Sequence, residues 1–481
     1  MWDTLCQVNP ADSGTPRCHT VAITRIGGEA TTVNLDVMLE DLRELVVCES
    51  FSADHRAVAR SARVVADQGH RRLGVRAETI VIGGVTHLRW TFGTPRVLLL
   101  GHHDTVWPIG SLLARPWSVA DGIARGPGVF DMKAGLVQMF HALAALPSPD
   151  GVCVLVTGDE EVGSPTSRAL VEESARGCAA AFVLEASAEG GALKIARKGT
   201  SMYEVVVHGR GSHAGLAPGS GANAGVELAH QILAVTGIAD RVNDGRTDGH
   251  RADGQASDNR AGSERTPGHR IDGQTNTVRA DGDRTNSGQA HGHRASDGQA
   301  DSDRTDGDRT SDGQAHRHRT DGGRGAPEHL GPVTVTPTVL SAGTTANTVP
   351  ALARLSVDAR VPTLATQRRV DELMRALSPR IAGTRLEITG GPNRPPLEHA
   401  SSAALFALAR QVAAGLGLAP LTGVGVGGAS DGNFTAGAGC PTLDGLGAVG
   451  GGAHADDEHV VVAEMPGRTA LLTGLIRAVL A

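Results

Sequence analysis

The amino-acid sequence predicts an α/β protein in which a doubly wound, mainly parallel sheet forms the main domain and a smaller α+β domain is inserted into it. Apolar runs of strand length, VLLL (97–100), VCVLVT (152–157) and AAFVLE (180–185), are continuous rather than alternating. Helical patterns, KAGLVQMFHALAAL (133–146) and SRALVEESA (167–175), lie among them. Continuous apolar strands alternating with helices are typical of a parallel sheet covered on both faces.

The main domain is predicted from two separate segments, 33–198 and 391–481. Before it, residues 1–32 are polar and have no apolar period, which predicts a disordered extension. A first helix is predicted to begin after Asn34, a suitable N-cap, and a second to end at Gly69. The second segment contributes a weaker strand, CPTLDGLG (440–447), together with Gly-rich loops and two helices.

The inserted domain is predicted over residues 199–390. The segment SMYEVVVHG alternates as a half-exposed strand does, and a helix follows at 223–237. Two strands, VTVTPTVL and ALARLSVDARV, then precede a helix at 367–381 and a last strand, TRLEITG. The resulting order, βαββαβ, is typical of a small domain with an open sheet.

A low-complexity block, 241–330, interrupts the inserted domain. Only 13 of its 90 residues are apolar, none is aromatic, and the word DGQ recurs at unequal intervals, starting at 253, 272, 297 and 312. Such a segment has too little apolar surface to offset the entropy of ordering it, so we expect it to be disordered. Its histidines leave open a role in weak metal buffering or nucleic-acid contact.

Composition excludes several classes of protein. The formal net charge is −7, which argues against general nucleic-acid binding. No apolar run reaches the ~20 residues of a membrane helix, and the N-terminus lacks the pattern of a signal peptide. Six cysteines without close pairing predict reduced thiols and a cytoplasmic location.

Potential metal ligands follow the predicted strands. His102 and Asp104 come after the first apolar run, Glu160 and Glu161 after the second, and Glu185 ends the third. Two further candidates lie in Gly-containing loops, namely Asp131 and His454. Ligands in open α/β sheets bind beyond the carboxyl ends of the strands, so these side chains are predicted to meet in one crevice.

A crowd of carboxylates requires a cation, because like charges at close range raise one another's pKa. Imidazole and carboxylate ligands without thiolate favour Zn²⁺ or a related divalent ion. The set is too large for one tetrahedral ion and suits two ions bridged by a carboxylate. Taken singly, each motif also has an ordinary structural explanation, such as a helix cap for Asp131 or solvated surface for the glutamate pair.

Ordered segments of the chain resemble the signature motifs of the M20 metallopeptidases, in particular their glutamate carboxypeptidase type. The segments are GHHDTV, GPGVFDMKAG, TGDEEVGS, VLEAS, GRGSHAGLAPGSGANA, ANTVP, VDAR, GGASDGNF and GGGAHADDEHV. The resemblance covers roughly 35–481 apart from the 241–330 block. It implies a catalytic α/β domain with two zinc ions and an inserted lid domain used for homodimerisation.

The resemblance also implies roles for individual residues. His102 and Glu185 would bind one zinc ion, Glu161 and His454 the other, and Asp131 would bridge them. Asp104 would orient His102, and His103 would not be a ligand. Glu160 would be the general base. His213 would stabilise the oxyanion in the partner subunit's site.

Substrate binding is expected at Arg394, Asn347 and the Gly-rich wall that contains Gly428 and Ser430. Arg394 is the best candidate for a carboxylate clamp, because guanidinium pairs bidentately with carboxylate. Arg360 would shape the lid or be structural. The expected activity is hydrolysis of the amide bond of a small peptide or N-acyl amino acid with a free carboxylate. Alternatives are an acetylornithine- or succinyl-diaminopimelate-type deacylase, an N-acyl amino acid amidohydrolase and a non-catalytic scaffold. Co²⁺ or Mn²⁺ could replace zinc.

Overall fold

A computed structural model of the protein describes residues 20–26, 29–245 and 330–481. Of the segments predicted to be disordered, residues 1–19, 27–28 and 246–329 lie outside these ranges, so their disorder stays a prediction. Residues 20–26 and 29–32 instead belong to two paired strands, and residues 241–244 continue a helix. Within the described part of the chain, no helix combines the length and the apolar character that crossing a membrane requires.

The secondary structure of the described residues follows in chain order. The strands are β1 (Thr20–Ile26), β2 (Glu29–Asn34), β3 (Glu78–Ile82), β4 (Val85–Thr91), β5 (Val97–His102), β6 (Ser118–Ala120), β7 (Ile123–Arg125), β8 (Val152–Thr157), β9 (Ala180–Val183), β10 (Leu193–Arg197), β11 (Gly199–His208), β12 (Thr334–Ala342), β13 (Leu352–Val361), β14 (Arg385–Arg394), β15 (Gly423–Val426), β16 (Thr442–Leu443), β17 (Gly450–Gly451) and β18 (His459–Val461). The helices are α1 (Leu35–Val47), α2 (His55–Leu73), α3 (Ser111–Ala114), α4 (Ala134–Ala144), α5 (Arg168–Ala175), α6 (Ala224–Asp244), α7 (Leu364–Arg375), α8 (His399–Gly415), α9 (Gly432–Gly437) and α10 (Met465–Leu480).

The central sheet has six strands in the order β16-β9-β5-β8-β4-β3. The first four run parallel to one another, and β4 and β3 join as an antiparallel hairpin at one edge. The prediction of a mainly parallel α/β sheet is therefore confirmed. The hairpin was not predicted; its turn is Gly83-Gly84, and both glycines have positive φ.

Both faces of the central sheet are buried, which explains the continuous apolar runs. Along β5, Val97 and Leu99 face a large core packed by α1, α2, α4, α8 and α10. Leu98 and Leu100 face a smaller core on the other side, where α5 and α9 pack. Successive side chains of a strand point to opposite faces, so a strand covered on both sides must be apolar throughout.

A second sheet of four strands has the order β12-β13-β11-β14 and is antiparallel throughout. Its core includes Val205 and Leu355 from the sheet, Val235 from α6 and Val370 from α7. In the chain, these elements follow one another as strand, helix, strand, strand, helix, strand.

Two helices of this second sheet have bounds that differ from those predicted. Helix α6 continues to Asp244 rather than ending at 237, because Ile238 and Val242 extend its buried face. Helix α7 begins three residues earlier than predicted, at a capping box formed by Thr363 and Thr366, and ends at Arg375 rather than 381.

Helix α4 packs against the backbone that precedes Glu185. A Cβ atom added to Gly135 would overlap the carbonyl oxygen of Leu184, and one added to Gly447 would overlap the same oxygen from another direction. These two glycines thus let backbone segments approach closely on either side of the carboxyl end of β9.

We therefore expect Gly135→Ala to lower the free energy of unfolding by about 1–3 kcal/mol, because a backbone carbonyl cannot move aside as a flexible side chain can. The control is Gly237→Ala in α6, where an added Cβ would meet nothing within 4 Å. This control should be neutral or stabilising by up to about 1 kcal/mol. Chemical denaturation measures both, and equal effects would contradict the close-packing argument.

Asp41, on α1, connects its own helix to α2 and α4. Its Oδ2 lies 2.9 Å from Nε2 of His141 on α4 and accepts a hydrogen bond of 2.8 Å from Nε of Arg72 on α2. Burial raises the pKa of Asp41, but the hydrogen bonds with His141 and Arg72 outweigh it and hold the pKa below its ordinary value.

Because the folded-state pKa of Asp41 is lowered, its ionised form stabilises the protein above the ordinary carboxyl pKa of 3.8, and this contribution is lost as the pH falls below it. We expect Asp41→Asn to cost about 1–3 kcal/mol at pH 7. The difference in the free energy of unfolding between this variant and the wild type should become smaller near pH 3. Denaturation at both pH values measures it, with the exposed α2 residue Asp67→Asn as control. A gap independent of pH would exclude the ionised carboxylate as its source.

Candidate metal centre

The parallel strands deliver the predicted ligands to one edge of the central sheet. His102 is the last residue of β5, Glu160 and Glu161 lie in the short 3-10 helix after β8, and Glu185 follows β9 by two residues. Asp131 comes from the turn before α4, at Val129–Lys133. His454 lies in the loop between β17 and β18 and has a positive φ of 62°.

The five side chains predicted as metal ligands form a chain of close contacts centred on Asp131. One oxygen of Asp131 lies 3.3 Å from Nε2 of His102, and the other lies 3.3 Å from Nε2 of His454. On the His102 side, Glu185 approaches the same Nε2 at 3.4 Å. On the His454 side, Glu161 approaches at 3.2 Å. Asp131 therefore stands between two separate imidazole–carboxylate pairs.

This arrangement fits metal coordination. Ligand atoms about 2.0–2.1 Å from a tetrahedral zinc ion lie about 3.3 Å from one another, which matches the observed spacings. Among the described residues, Nε2 of His102, Oδ1 of Asp131 and Oε1 of Glu161 are buried and have no hydrogen-bond partner. Buried polar atoms without partners are unfavourable, so their convergence indicates a site built for a cation.

The electrostatics of the cluster lead to the same conclusion. Burial lowers the pKa of His102, but Asp104, Asp131 and Glu185 outweigh it and hold the pKa well above its ordinary value. Hydrogen bonds with Asp131 and Glu161 raise the pKa of His454 to about 10. Burial raises the pKa of Glu161 to about 7. The negative charge of the crowded carboxylates thus favours positive charge on the two imidazoles, and a divalent cation at the same place would supply such charge.

Asp104 connects the ligand strand to the glutamate pair. Its backbone oxygen lies 3.0 Å from Nδ1 of His102, which fixes the ring. Its carboxylate accepts hydrogen bonds of 3.2 Å from the backbone N–H groups of both Glu160 and Glu161, and one of 2.7 Å from the Ser52 hydroxyl. Asp104 thus orients the imidazole through its backbone oxygen and positions the glutamate pair through its fully buried carboxylate.

Glu160 lies beside both the predicted ligands and an arginine. Its carboxylate, with His102 and Glu185, forms a group whose ligand atoms lie within 4.8 Å of one another. Burial raises its pKa well above the ordinary value, against the lowering effect of Arg394. Arg394 Nη2 lies 3.0 Å from Glu160 Oε1 and 3.2 Å from Asp431 Oδ1. It also donates a 2.7 Å hydrogen bond to Ser164 Oγ.

A cavity of about 520 Å³ opens above the cluster. Of the predicted site residues, it is lined by Asp131, Glu160, Glu161, Glu185, His454, Arg394 and Gly428. Its wall also includes charged residues that the sequence did not single out, namely Lys194, Arg197 and Asp358. The sequence did not predict that these three residues would line the cavity, because they meet the other lining residues through contacts between distant parts of the chain.

Five predicted site residues do not line this cavity: His102 and Asp104, which are buried, and Ser430, His213 and Asn347. Ser430 is buried, and its hydroxyl donates to Asp444, which in turn pairs with Arg197. His213 and Asn347 lie together in the second sheet region, where the backbone N–H of Ala214 donates to the carbonyl of Asn347. His103 is buried with Nε2 against the carbonyl oxygen of Thr86, away from the ligand atoms, as expected of a residue that binds no metal.

Clustered imidazole and carboxylate ligands beside a buried glutamate, at the carboxyl ends of parallel strands, are the features of a metal-dependent hydrolase. The family model described as "Peptidase family M20/M25/M40" matches residues 98–478, well over half of the chain. The chain therefore belongs to this family of metal-dependent hydrolases, as its motifs predicted.

Two curated relatives illustrate the range of enzymes to which the chain is similar. Carboxypeptidase G2 of Pseudomonas sp. (strain RS-16) is 30% identical over 229 residues, which cover 44% of this chain and 54% of that protein. Succinyl-diaminopimelate desuccinylase of Methylorubrum extorquens (strain PA1) is 34% identical over 136 residues, which cover 25% of this chain and 35% of that protein. The alignments thus span about half of the relatives' length or less.

Solved structures share the fold over most of the chain. Aminopeptidase PepT from Bacillus cereus ATCC 10987 has a TM-score of 0.58 at 18% identity and covers 93% of this chain and 100% of its own. The M20 family metallo-carboxypeptidase Sso-CP2 from Sulfolobus solfataricus has a TM-score of 0.57 at 15% identity and covers 92% of this chain and 98% of its own. At these identities the likeness establishes the fold alone.

Proposed function

We propose that the chain is a two-zinc amidohydrolase that cleaves the amide bond of a small peptide or N-acyl amino acid with a free carboxylate, as a glutamate carboxypeptidase does. The observation that carries this proposal is the position of Asp131, which turns one oxygen to His102 and the other to His454. A carboxylate shared between two imidazole–carboxylate pairs is the arrangement of a two-metal site. Co²⁺ or Mn²⁺ would suit the same ligands.

In this proposal, His102 and Glu185 would hold one ion, Glu161 and His454 would hold the other, and Asp131 would contribute to both. When bound, the ions would polarise the scissile carbonyl and increase the acidity of the attacking water. Glu160 would accept a proton from the attacking water and later deliver it to the leaving amine. Its carboxylate lies among the candidate ligands, and burial, which raises its pKa, favours the protonated form that this role requires.

The charge of the cavity wall supports an anionic substrate. Five carboxylates face the cavity against four Lys and Arg side chains, so two divalent ions would turn its charge from slightly negative to positive. Lys194 forms no salt bridge with any described residue, whereas Nη2 of Arg394 is occupied by Glu160, Ser164 and Asp431. We propose that Lys194 and the guanidinium of Arg394 meet the substrate carboxylate beside Gly428.

The second sheet and its helices would act as a lid and dimerisation domain spanning 199–390, between catalytic segments 33–198 and 391–481. His213 and Asn347 support this view, because they lie in that region and line no part of this chain's cavity. They would act in the partner subunit of a homodimer. Ser430 would shape the Gly-rich wall from beneath. The free thiols among the described cysteines agree with a cytoplasmic location.

A deacylase acting on an N-succinyl or N-acetyl amino acid is the second candidate function. The desuccinylase relatives support it, since their identities of 28–38% are comparable to that of the carboxypeptidase. Both candidates share the metal site, the general base and the need for a substrate carboxylate.

The neighbouring glutamates provide a matched test of the site. Glu160→Gln should reduce kcat by about 10²–10⁴-fold, since it removes the general base, and leave the zinc content near that of the wild type. Glu161→Gln, which removes the same charge one residue away, should lose zinc. Turnover and elemental analysis of the purified proteins separate the roles. Most activity surviving in Glu160→Gln would exclude it as the base, and zinc loss in that variant would make it a ligand.

A substrate panel tests the carboxylate requirement. Acyl-glutamates, dipeptides, N-succinyl and N-acetyl amino acids would each be offered with a free carboxylate and as the carboxamide. We expect at least one free acid to be hydrolysed, and its amide to lose about 10–100-fold in kcat/KM, because a charged hydrogen bond is worth about 1.5–3 kcal/mol. Equal rates for an acid and its amide would exclude a carboxylate site.

A further inference from the structure

We propose that Glu458 is a positioning residue for the metal centre: its carboxylate fixes the turn that carries Asp131 and ties that turn to the loop that carries His454. The inference rests on the proposed roles of Asp131 and His454 as ligands. The sequence analysis assigned no role to Glu458. Its side chain does not line the cavity, so it acts through other residues rather than on the substrate.

The carboxylate of Glu458 is saturated by four donors. Oε1 accepts hydrogen bonds from the backbone N–H groups of Phe130 (2.9 Å) and Asp131 (3.0 Å). Oε2 accepts from the backbone N–H of Gly128 (2.9 Å) and from the indole Nε1 of Trp107 (2.7 Å). Glu458 is only 4% exposed, so water does not compete for these donors. One side chain therefore satisfies three amides of the turn that presents Asp131.

The other end of this connection is the short loop before Glu458. His454 precedes Glu458 by four residues, and the backbone N–H of Glu458 donates to the carbonyl of Ala455 at 3.1 Å. A Cβ atom on Gly452 would lie 2.8 Å from the backbone N of Glu458, so the loop folds tightly on itself. After Glu458, strand β18 pairs with β7. The loop is thus anchored on both sides of the carboxylate.

Together these contacts couple two ligands that arrive from distant parts of the chain. Asp131 and His454 are separated by over 300 residues in the sequence, yet their side chains lie 3.3 Å apart. Without Glu458, the amides of Gly128, Phe130 and Asp131 would lose their buried acceptor, and the turn would be free to rotate. Metal affinity depends strongly on such supporting hydrogen bonds.

An amide cannot replace this carboxylate. Glutamine has nearly the same volume, but only one of its terminal atoms accepts hydrogen bonds, and its NH2 group would face two further N–H donors. Glu458→Gln should therefore displace the turn without leaving a cavity. Asp456→Asn is the matched control, since it removes one negative charge from the same loop at a side chain that is 85% exposed.

The test is the affinity of each purified, metal-free protein for Zn²⁺, measured by competition with a chromogenic chelator. We expect Glu458→Gln to weaken zinc binding by about 10–100-fold and to lower kcat more than it changes KM. Asp456→Asn should stay within twofold of the wild type in each quantity. Zinc affinity within twofold of the wild type for Glu458→Gln would overturn the proposal, as would an equal loss in both variants.

A second variant covers the case in which Glu458→Gln does not fold. Trp107→Phe removes a single donor to Oε2 and keeps an aromatic ring, so it should fold and weaken zinc binding by a smaller factor, severalfold. Unchanged zinc affinity in this variant, with Glu458→Gln unfolded, would mean that the carboxylate supports the fold and not the metal centre. Zinc binding does not require turnover. A protein that binds zinc but hydrolyses none of the substrate panel would therefore refute the proposed activity, while the zinc affinities would still test the role of Glu458.

Discussion

The convergence of acidic side chains on the buried imidazole of His102 is the constraint around which this structure is organised. Asp131 and Glu185 both approach its Nε2, and Asp104 holds its other nitrogen. Several carboxylates in a space this small repel one another and are costly to bury. The fold tolerates them only if positive charge is supplied, by protons on the imidazoles or, in the proposed enzyme, by two metal ions. The need for positive charge beside these buried carboxylates therefore explains why imidazoles lie among them and why the proposed function depends on metal ions.

The fold holds the predicted ligands close together by placing them at the ends of paired strands, where the backbone is rigid. Parallel pairing aligns the carboxyl ends of β5, β8 and β9, so three ligand-bearing segments reach the same edge without long loops. Close approaches at Gly135 and Gly447 fix the backbone before Glu185, because any larger residue would collide with the carbonyl of Leu184. Since a site must be held to a fraction of an ångström, these backbone contacts matter as much as the ligands themselves.

The sequence was sufficient to predict the features that depend on local pattern. Continuous apolar runs predicted the parallel strands, and the polar residues at or just beyond their ends predicted that His102 and Glu185 would meet, as they do at 3.4 Å. It did not predict the hairpin of β3 and β4, whose sequences, ETIVI and VTHLRWT, are not continuous apolar runs and whose turn is Gly83-Gly84. Nor did it assign Lys194 and Glu458 to the site, because their partners are set by long-range packing that no local pattern encodes.

Arg394 shows how a motif can predict a residue's importance while leaving its partner undecided. Its position in the family resemblance and the pairing of guanidinium with carboxylate predicted a clamp for the substrate carboxylate, yet its Nη2 faces Glu160 and Asp431 within the chain. Asp431 is itself held by the hydroxyl groups of Thr157 and Ser164. In the proposed enzyme, the same arginine can therefore orient the base through Nη2 and also contact the substrate from the cavity wall. Binding a substrate carboxylate there would draw on the charge that otherwise compensates Glu160, so substrate binding and the readiness of the base to accept a proton would be linked through one side chain.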